Sequence, residues 1–287
     1  MLIAIPISPT DIVKQTTASG VDILRLLRII LISNKYSFSS YESWATSILA
    51  DHCLNNGSRY LDTCQPDILS YTLDIAVVCN FEALRTAVQK AWIRRLQSDG
   101  LPVVDALQAG EKHDLRDFQG MAYYYQLQIM NSSKSQPEEG GTAMLYTDPT
   151  DSLTVMHKLR LYAGYWSLSK YWEHFCTRPI PTLPRTQQCQ TLALNDECAR
   201  IWSTFWRNSL TKVSSMAEYA VVVDVVERLE LLQKEIESPS ASANHFSYSY
   251  FGTICSHCRT LAKNYVAQTR DDLRRTLGDH FLGTLQK

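Results

Sequence analysis

The stretch Leu24–Leu49, LRLLRIILISNKYSFSSYESWATSIL, decides the fold of this chain, because its apolar residues recur with the period of an α-helix. Around its start, the polar residues Asp22, Arg25 and Arg28 recur every third position. They leave one narrow polar stripe on an otherwise apolar surface, which is typical of a mostly buried helix. The pattern therefore predicts a helix over residues 21–33.

Local signals predict where the following helices begin and end. Ser39-Ser40-Tyr41-Glu42 places a carboxylate three residues after a hydroxyl, the pattern of a capping box. Pro66 suits the first turn of a helix, Asn80 is expected to cap the next one, and Gly110 is expected to close a short one. The helix after the capping box is predicted to bury a face made of Tyr41, Trp44, Ala45, Ile48 and Leu49.

Helical periodicity continues through the second half of the chain, over residues 152–175, 196–212, 216–237 and 254–278. No stretch of useful length alternates apolar and polar residues as a strand does. The sequence therefore predicts an all-α protein, a bundle of about nine helices in two sub-bundles. Residues 1–130 and 151–287 are the predicted helical regions, and the polar, Pro- and Gly-containing segment 131–150 is the predicted linker loop.

Composition limits the classes of partner. The chain has 287 residues, 45% of them hydrophobic, and a net charge of -1 without a long basic block, so nucleic-acid binding is not expected. No apolar run reaches the roughly 18 residues of a membrane span, and the apolar start lacks the features of a signal peptide. We therefore expect a cytoplasmic or nuclear protein whose eight cysteines are reduced thiols.

Cys255 and Cys258 have the Cys-x-x-Cys spacing that supplies two thiolates to zinc. A tetrahedral site needs more ligands, and the remote candidates Cys189 and Cys198 are too widely spaced for a zinc ribbon or finger. Residues i and i+3 share a helix face, so packing of both thiols explains the spacing without a metal. We expect no metal and no cofactor, and metal binding at this pair stays the alternative.

Three further patterns each have a structural and a functional interpretation. Arg178-x-x-Pro181-x-x-Pro184 has the outline of an SH3 ligand, and it is also typical of a stiff connector. The Asp271-Asp272 pair resembles an Mg²⁺ ligand pair, but surface pairing with Arg274 and Arg275 is simpler. The heptad-like seam is too short for a coiled coil and favours an intramolecular bundle helix; it comprises Val222, Val225, Leu229, Leu232 and Ile236.

Several segments together resemble the BTB (POZ) proteins of mushroom-forming fungi. Residues 24–49 are similar to the last two helices of the BTB domain, and residues 66–110 to the helical region after it. Cys198-x-x-x-Trp202-x-x-x-Trp206, Cys255-x-x-Cys258 and the segment from Arg270 to Phe281 are similar to the C-terminal helices of that group. The strands and first helix of a BTB domain have no counterpart in residues 1–20. The resemblance implies an adaptor or scaffold role in ubiquitin-ligase assembly or transcription.

No catalytic motif accompanies these patterns. The seven histidines have no metal-ligand spacing, and no Gly-x-Ser-x-Gly, P-loop or Gly-x-Gly-x-x-Gly occurs, so catalytic residues are predicted to be none. We expect a non-catalytic intracellular module that binds a protein partner, with Tyr123 and Tyr124 exposed beside an inward-facing Tyr125. The alternatives are a helical enzyme or small-molecule binder with a pocket inside the bundle, and a zinc-stabilised regulator.

Overall fold

The structure is a computed structural model, and it describes residues 22–54, 60–98, 101–132, 150–179, 192–215, 224–237 and 254–284. These residues form eleven α-helices and no strands, which confirms the all-α prediction. The helix count is higher than expected, partly because a single-turn helix occurs near residue 60. In chain order the helices are α1 Ile23–Lys35, α2 Ser39–Leu54, α3 Tyr60–Thr63, α4 Pro66–Val78, α5 Glu82–Ser98, α6 Val103–Lys112, α7 Arg116–Ser132, α8 Val155–Thr177, α9 Leu192–Ser215, α10 Val225–Glu237 and α11 Ser256–Leu282.

The chain divides into two compact units, Met1–Asp114 and Leu115–Lys287, which we call unit 1 and unit 2. The sequence pattern had instead predicted a division in the loop 131–150. Helix α7 accounts for the difference, because it packs along α11 and α8 in unit 2.

Unit 1 is built on α1 and α5. Helix α1 packs against α2 and α4, and α5 packs against α2, α3 and α4. Asp22 caps α1, since its side chain accepts a hydrogen bond from the backbone N–H of Arg25 at 3.0 Å. Burial of one apolar stripe per helix stabilises this unit; the buried residues include Leu27, Ile30, Ala45, Leu49, Leu69, Leu73, Leu84, Val88 and Trp92.

Some helix ends differ from the sequence predictions. Helix α2 begins at Ser39, and the side chain of Glu42 accepts a hydrogen bond from Asn34 at 3.0 Å rather than closing the predicted capping box. Asn80 has a positive φ of 53° and ends α4, so it does not cap α5 as a helix N-terminal residue. Gly110 is buried within α6, which continues to Lys112.

Unit 2 is organised around α11, which packs against α7, α8 and α10. Helices α7 and α11 approach closely where Gly120 faces Gly278, because neither residue has a Cβ. An aromatic cluster fills the space between α8, α9 and α11, with the Phe175 and Trp206 ring centroids 5.6 Å apart and those of Trp206 and Tyr265 5.7 Å apart. Aromatic contacts of this kind contribute beyond the apolar area that they bury.

Within the described residues, no helix combines the length and the apolar character that crossing a bilayer requires.

Candidate functional site

Helix α8 buries one face and exposes another that is also apolar. The buried face includes Leu161, Gly164, Leu168 and Trp172. On the opposite side, the side chains of Val155, Tyr162 and Trp166 are 76%, 66% and 64% exposed. We call the exposed set the α8 stripe, which consists of Val155, Met156, Leu159, Tyr162, Tyr165 and Trp166.

The α8 stripe is continuous because its main residues recur at helical spacing. Val155, Leu159, Tyr162 and Trp166 are separated by four, three and four positions, so they lie along one line of the helix surface. Single exposed apolar residues are ordinary on protein surfaces, but a contiguous set of large ones marks an interaction site. The stripe is therefore the strongest candidate for a binding surface among the described residues.

Positive charge borders the α8 stripe. Lys158 lies beside it, and the ammonium group of Lys170 lies over the ring of Trp166, 4.8 Å from its centroid. Lys170 also pairs with Glu173 at 2.7 Å. The sequence contains no acidic residue from Ser152 to Trp172. One lysine therefore lies toward each end of the stripe, and Lys170 is also paired with Glu173.

The predicted exposure of Tyr123 and Tyr124 is wrong. Tyr123 is completely buried, and its ring stacks on Phe281 with centroids 5.3 Å apart. Tyr124 is buried as well, whereas Tyr125 is the partly exposed member of the three. The reason is that α7 packs against both α8 and α11, so two of its faces are covered instead of one.

A half-buried polar network surrounds Asp224, just before α10, and no sequence motif indicated it. Its carboxylate accepts hydrogen bonds from the Tyr124 hydroxyl and, at 3.2 Å, from the amide of Gln128. Burial raises the pKa of Tyr124 well above its ordinary value, and the neighbouring Asp224 carboxylate adds to the rise. Arg228 is buried nearby with its guanidinium 4.9 Å from the centroid of the Trp172 ring. This network joins α7, α8 and α10.

The cysteines that are remote in sequence meet in space. Cys198 lies in the second turn of α9, Cys255 is the N-cap residue of α11, and Cys258 lies in the first turn of α11. Their three sulfur atoms all lie within 4.8 Å of one another. Sequence spacing had separated Cys198 from the Cys-x-x-Cys pair, and the fold brings it beside them. We call these three residues the thiol cluster.

The remaining sequence candidates are structural where they are described. Asp272 pairs with Arg275 as expected for residues on one helix face, whereas Asp271 binds the neighbouring Arg270 at 2.9 Å and Arg274 pairs with Glu230 instead. Of Arg178–Pro184, only Arg178 and Pro179 belong to the described residues, so the proposed SH3 ligand lies largely outside them.

The predicted seam forms a bundle helix in unit 2. Helix α10 packs against α9 and α11, whereas Val222 lies outside the described residues. The apolar face of α10 is buried as the spacing indicated, at Val225, Leu229, Leu232 and Ile236.

His280 is a half-buried histidine of α11 whose surroundings shift its pKa. Its Nδ1 atom is hydrogen-bonded to the hydroxyl of Ser167 at 2.8 Å, and its ring lies edge-on to Tyr171. Burial lowers the pKa of His280 because the charged imidazolium loses water there. In unit 1, His113 instead contacts the carboxylate of Asp74 at 2.6 Å.

Comparison of the chain with protein-family models, with curated proteins and with solved structures gives no match.

Proposed function

We propose that this chain is a non-catalytic protein–protein interaction module, and that the α8 stripe is its docking surface. The observation that carries the proposal is the exposure of large apolar side chains along one line of α8, at Val155, Leu159, Tyr162 and Trp166, with Met156 and Tyr165 exposed on either side of that line. Aromatic residues dominate the energetics of protein interfaces because they bury a large area at low entropic cost. Tyr162 and Trp166 lie next to each other along the stripe and are its expected anchors.

The shape of the stripe favours a helical partner. From Val155 to Trp166 the stripe extends about 16 Å, at about 1.5 Å per residue, which is about three turns of helix. A second helix packs against such a ridge by inserting apolar residues spaced at i, i+3, i+4 and i+7. The partner surface is therefore an amphipathic helix of at least three turns.

The charge around the α8 stripe indicates which charged residues the partner helix carries beside its apolar face. Lys158 and Lys170 border the apolar residues, and no acidic side chain lies in the sequence between them. Partners with acidic residues beside their apolar stripe gain complementary charge and faster association, whereas basic helices meet like charge. We therefore propose an amphipathic helix with acidic flanks as the partner.

The narrower role follows from the resemblance to fungal BTB proteins. We propose an adaptor or scaffold that acts in the cytoplasm or nucleus, in ubiquitin-ligase assembly or transcription. The support for this role is the similarity of residues 24–49 and 66–110 to the end of a BTB domain and the helices that follow it. The described residues of both units form α-helices and no strands, which is compatible with that resemblance.

Site-specific photocrosslinking in cells of the source organism tests the docking surface. A benzophenone amino acid is placed at Tyr162, and the matched control carries it at Tyr36, an aromatic residue of unit 1 that is 55% exposed. The crosslinked peptide is then identified by mass spectrometry. We expect position 162 to capture a helical segment with acidic residues beside its apolar stripe, and Trp166→Ala to abolish the capture.

Binding measurements with the identified segment make the test quantitative. A synthetic peptide of that segment is titrated against the full chain, and Trp166→Ala is expected to weaken it by about 2 kcal/mol, roughly thirtyfold. Capture of a basic segment, of a second copy of this chain, or of nothing beyond the Tyr36 control contradicts the proposal. Capture of a ubiquitin-ligase or transcription component supports the narrower role.

A further inference from the structure

The thiol cluster has the dimensions of a zinc–thiolate site. Zinc binds cysteine sulfur at about 2.3 Å in a tetrahedron, which places the sulfur atoms about 3.8 Å apart. The sulfur atoms of Cys198, Cys255 and Cys258 all lie within 4.8 Å of one another. Side-chain movements of about an ångström therefore bring the three thiols to the spacing of metal ligands.

The start of α11 favours the thiolate form that zinc requires. The backbone N–H of Cys258 donates a hydrogen bond to the sulfur of Cys255 at 3.4 Å, and both residues lie where the helix dipole stabilises negative charge. Cys53 and Cys79 lie instead at the C-terminal ends of α2 and α4, where the helix dipole disfavours negative charge. Burial raises the pKa of Cys53 to about 12 and that of Cys79 to about 11, so these two stay protonated.

The position of the cluster explains what a metal there does for the fold. Cys198 lies beside Cys258 near the start of both helices, and Trp206 contacts Tyr265 two turns further along each. Helices α9 and α11 therefore run parallel, with the sulfur atoms at one end of their contact and aromatic rings further along it. A metal ion at the sulfur end would join two segments that are far apart in the sequence.

We infer that Cys198, Cys255 and Cys258 bind one Zn²⁺ ion that joins the N-terminal parts of α9 and α11. Each thiol loses its proton to solvent as the sulfur binds the metal, with no change of oxidation state. Three thiolates leave the fourth tetrahedral position to water or to a nitrogen ligand. This zinc site stabilises unit 2, and it is separate from the α8 stripe and from the proposed interaction.

Metal analysis of the full chain tests the site. The protein is produced with zinc in the medium and purified under reducing conditions, and zinc is measured by mass spectrometry of the elements. We expect about one equivalent in the unaltered chain and less than about one tenth in Cys198→Ser and in Cys258→Ser. Cys53→Ser is the matched control, because it removes a buried thiol of unit 1 and is expected to keep the metal.

Cobalt substitution keeps the test valid where a serine variant fails to fold. Co²⁺ added to the metal-free unaltered chain is expected to give the absorption bands of a tetrahedral cobalt–thiolate centre, and one equivalent of Zn²⁺ is expected to remove them. The inference is overturned by less than about one tenth of an equivalent of zinc in the unaltered chain. It is equally overturned by full metal content in folded Cys258→Ser, or by a disulfide within the cluster in protein purified under reducing conditions.

Discussion

Replacing Gly120 by alanine tests the packing of α7 on α11 most directly. A Cβ at Gly120 would lie 2.4 Å from the backbone nitrogen of Gly278 and 2.8 Å from its Cα. Attractive contacts between such atoms occur at about 3.5–4.0 Å. The atoms that it meets belong to a backbone and not to a flexible side chain, so the helices must separate by about 1 Å.

Two opposing free-energy contributions determine how much Gly120→Ala changes the stability. Overpacking a tight contact costs about 1–3 kcal/mol. Because the new Cβ of Gly120→Ala meets backbone atoms, which cannot move aside, we take a cost of about 3 kcal/mol. Alanine gains about 1 kcal/mol over glycine in helix propensity. The net expectation is therefore a loss of about 2 kcal/mol in the free energy of unfolding of Gly120→Ala.

Urea denaturation followed by circular dichroism measures this loss. Ala163→Gly is the matched control, because Ala163 is exposed on α8 and reports the propensity term alone, a loss of about 1 kcal/mol. If Gly120→Ala is as stable as the unaltered chain or more stable, propensity outweighs the clash and the close approach of α7 and α11 is refuted.

Three other changes probe buried polar groups. Tyr124→Phe leaves the Asp224 carboxylate short of a donor and is expected to cost about 1.5–3 kcal/mol in urea denaturation. Burial lowers the pKa of His280, so the unfolded chain takes up the proton first and stability falls as the pH is lowered through about 6.5, the ordinary pKa of histidine. His280→Gln should flatten that pH dependence, and an unchanged profile would contradict it. Arg95→Met removes a 2.7 Å hydrogen bond to the carbonyl of Cys64 and should speed hydrogen exchange at the Cys64 amide, measured by NMR.

The helical class and most helices were predictable because helix periodicity is a local property of the sequence. Pro66 lies in the first turn of α4 as predicted, since proline is suited to that position by its fixed φ. Helix ends were less predictable. Asn80 and Asp114 follow helices with positive φ values of 53° and 50°, and a sequence pattern does not show which asparagine or aspartate takes this conformation.

The candidate binding surfaces could not be predicted from the sequence, because they depend on contacts between helices that periodicity does not show. Helix α8 is apolar on two sides, and only the packing of α7 and α11 decides that Leu161 is buried while Leu159 is exposed. The same packing buries Tyr124. The thiol cluster requires Cys198 to meet residues of α11, which is a long-range contact. Local patterns therefore predict elements, whereas binding surfaces follow from how the elements assemble.

Helix α8 packs through one face and exposes the other, and this separation has an evolutionary consequence. Residues such as Leu168 and Trp172 hold the helix in unit 2, whereas the residues of the α8 stripe are exposed on its other side. Substitutions at the outward positions leave the interior unchanged and cost little stability. Selection for a new binding partner can therefore change the residues of the α8 stripe. We expect related chains with the same interior to differ there first.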